Sequence, residues 1–98
     1  MAKFVVLGKL TAQGIGDYKN TLNRASAAAQ AAEAAGGRLV DIYWTMGKYD
    51  FVAIFEMPDD ETMAAMLFRQ GSQGNVSTAT MRAFDRSEME GVLAKSGS

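Results

Sequence analysis

The chain contains no cysteine and no histidine. Without either, the usual zinc ligand sets cannot be assembled. Ser-His and Cys-His nucleophile pairs are excluded as well. Acid–base chemistry would have to come from Asp, Glu, Lys or Tyr with shifted pKa, or from a cofactor. The missing cysteines also remove disulfide staples, so stability must come from packing or self-association. No apolar run approaches the roughly 18 residues of a membrane span. The run Phe4–Leu7 is also too short for a signal peptide, so a cytoplasmic protein is expected. Lysines and arginines are scattered singly and the net charge is −1. That pattern lacks the basic stripe of a nucleic-acid binder. The single proline, Pro58, is confined to the end of an apolar run.

Against these absences stand several strong local signals. Ninety-eight residues suffice for one domain, spanning 1–98 with a fraying tail at 96–98. Lys3 to Thr11 is β-branched and apolar and reads as a first strand. Gln13–Gly16 reads as a turn, with Asp17 as N-cap of a long Ala-rich helix to about Ala35. Tyr18, Leu22, Ala25, Ala29 and Ala32 fall on one helical face, and Gly36-Gly37 stops the helix. Arg38–Met46 and Tyr49–Met57 form a hairpin across Gly47-Lys48, where glycine first in a two-residue loop suits a type II′ turn. Pro58 ends the third strand. Asp59 or Asp60 caps a helix to about Gln70, with Met63, Met66 and Leu67 facing inward. Val76–Phe84 is a fourth strand. Ser87 and Glu90 have capping-box spacing for a terminal helix with Met89, Val92 and Leu93 as apolar contacts. The order β-α-β-β-α-β is the ferredoxin-like α+β plan, with a four-stranded antiparallel sheet in the order 4-1-3-2.

The hairpin spacing assigns faces, because cross-strand partners lie on one side of a sheet. It pairs Met46 with Tyr49, Thr45 with Asp50, Trp44 with Phe51 and Tyr43 with Val52. Val40, Ile42, Trp44, Phe51, Ala53 and Phe55 then form an apolar face for the helices to cover, with Tyr49 beside Trp44. The opposite face carries Asp41, Tyr43, Thr45, Asp50, Val52, Ile54 and Glu56. Continued alternation adds Lys3, Val5, Leu7, Lys9 and Thr11, and from the fourth strand Val76, Thr78, Thr80, Arg82 and Phe84. An apolar centre without cover marks an interface, and a homodimer closing two such faces is the economical solution.

The motif Gly47-Lys48-Tyr49-Asp50 matches the G-x-Y-D signature of the GYD domain proteins. Leu10-Thr11 with Gly14, Arg24, Tyr43–Met46, Glu56–Asp60, Gly74–Val76 and Thr80–Phe84 are similar to that family too, so the resemblance covers nearly the whole chain. It implies a ferredoxin-like fold of the dimeric α/β-barrel type, and it carries over no catalytic residue.

The expected site is a pocket on the open face lined by Lys9, Thr11, Tyr43, Thr45, Asp50 and Arg82. The leading expectation is a homo-oligomeric small-molecule-binding or structural module of unknown function, without cofactor or metal. The alternative is a cofactor-independent monooxygenase- or isomerase-like enzyme using Asp50 and Tyr43, with Asp50 as general base. Against that stands a structural Asp50 that pairs with Lys9 or closes the hairpin. A regulatory subunit or effector sensor is a third reading. Glu56 is expected to pair with Arg82 or Lys3, and Arg24 to cap a carbonyl, pair with an acid or bind an anion. The Gln13–Asp17 segment lacks phosphate-loop spacing, and the methionines fit core packing better than a soft-metal site.

Overall fold

The computed structural model describes residues 1–97. Strand β1 spans Ala2–Leu10, β2 Arg38–Trp44, β3 Phe51–Met57 and β4 Val76–Ala83. Helix α1 spans Ala12–Gly16, α2 Thr21–Ala34, α3 Asp60–Ser72 and α4 Arg86–Lys95, and a 3-10 turn at Tyr18–Asn20 precedes α2. The strands form one antiparallel sheet in the order β2-β3-β1-β4, which from the β4 edge reads 4-1-3-2.

The segment after β1 departs from the expected turn and single long helix. Thr11 caps α1, accepting from Gly14 N–H at 3.1 Å. Asp17 caps no long helix; its carboxylate accepts instead from Asn20 Nδ2 at 2.8 Å and faces Arg24. The stripe of α2 that packs inward is Ala25, Ala28, Ala31 and Ala32, while Tyr18 and Leu22 are exposed. Asp59 caps α3 by accepting from Thr62 N–H at 2.7 Å. In α4 the cap is Asp85 with Glu88 closing the box, two residues before the expected Ser87 and Glu90. The side chain that reaches the N3 amide is fixed by backbone geometry at the strand end, where Asp85 is extended while Ser87 already lies within the helix. Of the expected tail, Ser96 caps α4, and Ser98 lies outside the described residues.

The core lies between the sheet and α2 and α3, built on Phe4, Val6, Ala53, Phe55, Met57, Met63 and Met66. Gly8 is required there, because the Phe51 ring lies where a Cβ would stand. Glycine thus lets the ring cross β1 flat.

Two face assignments differ from the sequence reading. A bulge between Leu39 and Asp41 puts Leu39 opposite Phe55 on the helix side, leaving Val40 exposed. A bulge inserts one unpaired residue, so alternation shifts across it. Strand β4 is inverted throughout. Its Val76, Thr78, Thr80 and Arg82 pair with Leu10, Gly8, Val6 and Phe4, and so share the helix-covered side. Ser77, Ala79, Met81 and Ala83 take the open face instead. Neither alternating set of β4 is decisively apolar, so pattern cannot choose between them; packing against β1 does.

Candidate functional site

The open face of the sheet has an apolar centre and polar ends. Val5, Leu7, Val52 and Ile54 occupy the two middle strands, flanked by Met81 and Ala79 on β4 and Tyr43 on β2. At one end Glu56 accepts from Arg38 at 2.7 Å, and this bond holds its carboxyl below the ordinary 4.5. The pairing corrects the expected Glu56 partner. Lys3, although opposite Glu56 in register, bonds Glu88 and Asp85 at 3.2 Å each. Those contacts raise its pKa above the ordinary 10.5 and tie the start of α4 to the sheet.

The six site residues read from sequence do not form one cluster. Tyr43 is on the open face, and its hydroxyl donates to Asp41 Oδ2 at 2.8 Å. That hydrogen bond raises the phenol above its ordinary 10.0. The Thr45 hydroxyl donates to Tyr49 O at 2.6 Å and closes the hairpin. Lys9 is exposed, with its ammonium 5.7 Å from the Tyr49 ring centroid. Thr11 is engaged as a cap and donates to Gly74 O at 2.6 Å, tying the end of β1 to the loop before β4.

Asp50 turns away from this group. Its N–H donates to Gly8 O at 2.7 Å, and its Oδ2 accepts from Leu10 N–H at 2.7 Å. The carboxylate therefore takes the place of a backbone acceptor at the end of the β1–β3 ladder. It lines the cavity under the helices rather than the open face. Tyr49 is likewise absent from the core, and the ammonium groups of Lys9 and Lys48 each stand 5.7 Å from its ring centroid. The connection differs from the expected two-residue hairpin, and this difference explains both inversions. The strands stop at Trp44 and resume at Phe51, so the connection is longer and alternation does not extend through it. The pairs Trp44–Phe51 and Tyr43–Val52 hold, and Thr45 N–H bonds Asp50 O at 2.8 Å. Gly47 supplies the φ of +106° that this turn needs.

Arg82 is on the other side of the sheet, at the opposite end. Its guanidinium stands over the Phe4 and Phe84 rings and donates to Lys3 O and Ala83 O. Arg24 donates to Asp17 O at 3.1 Å and faces the Asp17 carboxylate at 3.3 Å, so it caps the turn before α2 and pairs with an acid. Among the described residues no group of three or more His, Cys, Asp or Glu is placed to hold a metal ion. No helix among them is long and apolar enough to cross a membrane.

Sequence reasoning missed the space beneath the helices, which Asp50 shares with Trp44 and Arg69. The signal for it was present in the run of alanines on α2, which brings methyl groups where larger side chains would fill.

A protein of Thermus thermophilus named glutamine synthetase and cystathionine beta-lyase binding protein is 34% identical to this chain over 84 residues. The alignment covers 85% of this chain and 88% of that protein. No solved structure matches the chain significantly. The GYD domain matches residues 4–93, and the chain belongs to the GYD domain family.

Proposed function

We propose that this chain is a single-domain, cytoplasmic binding module that assembles as a homodimer through its open sheet face and docks on a partner enzyme. The observation that carries this reading is the uncovered apolar centre at Val5, Leu7, Val52 and Ile54, bordered by the half-exposed Met81. Covering such a patch is favourable in proportion to the apolar area removed from water. Two copies meeting face to face would form a barrel of the dimeric α/β type, with the polar ends closing over an apolar middle. Lys9, Tyr43 and Thr45 would then border any small-molecule pocket between the subunits.

Helix α4 supports the same assembly. Charged contacts at its first turn tie it to the body, and Met89 and Val92 are 42% and 39% exposed. A second subunit beside the sheet would bring apolar surface to that helix. The docking role rests on the relative, whose name states that it binds glutamine synthetase and cystathionine beta-lyase. Tyr18 and Leu22 offer exposed apolar contacts outside the dimer face.

Sedimentation velocity at micromolar concentration tests the assembly, and a dimer or larger species is expected. A strict monomer across that range would refute it. Pull-down of purified glutamine synthetase and cystathionine beta-lyase tests the docking separately. Retention of neither enzyme would remove the partner from the proposal.

A further inference from the structure

The inner face of the sheet is incompletely covered. Between α2, α3 and the strands lies a cavity of about 160 Å³. Its roof is Ala25, Ala28 and Ala31, at intervals that turn three methyl groups toward the sheet. Its floor is Ile42, Phe51 and Phe55. The cavity exists because alanines face aromatic rings and the remaining gap has no side chain to fill it. An apolar space of about 150 Å³ is large enough for a benzene-sized guest. Apolar lining of this kind draws a hydrocarbon group rather than a sugar or a free ion.

The rim adds a polar preference. Three charged side chains reach it: Arg24, Arg69 and Asp50. Two are committed elsewhere. Arg24 is paired with Asp17, and the Asp50 carboxylate accepts the Leu10 amide. Arg69 is exposed and makes no side-chain hydrogen bond or ion pair among the described residues. Gln70, the next residue on α3, also lines the cavity. The rim therefore offers one uncommitted guanidinium beside an apolar chamber. A guanidinium matches the planar fork of a carboxylate.

We propose that this cavity binds a small apolar carboxylic acid. A straight or aromatic body of about six to eight carbons would lie under the α2 alanines. Its carboxylate would meet Arg69 at the mouth. This site is on the opposite side of the sheet from the proposed dimer face, so the two proposals stand or fall separately.

Trp44 is the only tryptophan in the chain and lines the cavity, so its fluorescence reports occupancy. The full chain is titrated with octanoate and, separately, with 1-octanol. A saturable change in Trp44 emission is expected for both, with octanoate binding about tenfold tighter. Arg69→Gln should abolish that preference and leave the 1-octanol response unchanged. Ala28→Phe should fill the chamber and remove both responses while the circular dichroism spectrum stays native. Absence of a saturable response to octanoate overturns the proposal, as does a response that persists in folded Ala28→Phe. Equal binding of acid and alcohol, unaltered by Arg69→Gln, overturns the carboxylate assignment. If Ala28→Phe does not fold, the Arg69→Gln comparison decides alone, since that side chain is exposed.

Discussion

The two faces of the sheet are both apolar at the centre, yet they are used differently. Phe55 and Ile54 are neighbours on β3 and point to opposite sides. Phe55 is 4% exposed beneath the helices, whereas Ile54 is only half-buried within one subunit. The inner face draws its stability from the chain itself and still leaves a gap under the alanines. The centre of the open face is left only partly buried by the described residues. Burial on one side is thus a matter of folding, and on the other, under the proposed assembly, a matter of association.

The largest expected effect breaks the inner side. Phe55→Ala should destabilise the fold by about 3–5 kcal/mol, since a large buried ring leaves a cavity the helices cannot close. Urea denaturation measures it, and a loss below about 1 kcal/mol would show that the inner face is not the core. On the open side, Leu7→Lys should leave the folded monomer intact and weaken the proposed dimer by on the order of 3 kcal/mol, because an unpaired charge would be buried between subunits. Sedimentation equilibrium reads that shift; an unchanged association constant would place the contact elsewhere.

Asp50 is where the two sides meet in sequence. Asp50→Ala should cost about 1.5–3 kcal/mol of stability by leaving the Leu10 amide without its charged acceptor. Thermal melting tests this, and an undiminished melting temperature would reopen a non-structural role. Thr80 gives a smaller effect of opposite sign. Its hydroxyl is buried on the inner face with no hydrogen-bond partner among the described residues. Thr80→Val should therefore be neutral or stabilise by about 1 kcal/mol, a gain that denaturant midpoints resolve.

The mildest perturbation is pH, which acts on the joint between α4 and the sheet. Backbone N–H bonds at the helix cap, then Lys3, hold Asp85 and Glu88 below their ordinary 3.8 and 4.5. Their stabilisation is complete above those ordinary values and is lost as pH falls through the depressed ones. Lys3, raised in the folded state, loses its contribution only in strong alkali. Protease susceptibility of α4 should accordingly stay flat through neutral pH and rise in acid. A rise that began near pH 7 would contradict this origin.

Much of this arrangement was legible in the residues. Pro58 and Gly36-Gly37 punctuated the chain where elements end, and the alternation of Phe51, Ala53 and Phe55 marked the inner face of β3. The pairs Trp44–Phe51 and Tyr43–Val52 followed from one glycine and the spacing around it, whereas the longer loop between them did not. Other features were not legible. Val40 fell into a bulge, and Arg82 turned to the Phe4 ring. Asp50 folded inward to an amide of a strand forty residues earlier. In each case the local pattern was nearly balanced, and a distant backbone group or ring chose.

The sequence by itself determined the order of the four strands and of the longer helices between them, the antiparallel pairing of β2 with β3, and the absence of thiol and imidazole chemistry. Those follow from covalent composition and from periodicities that each element carries alone. Only the tertiary structure decided the faces of β4, the direction of Asp50 and the cavity under the α2 alanines. A side chain's face depends on which strand it pairs with, and an empty volume depends on everything that fails to fill it.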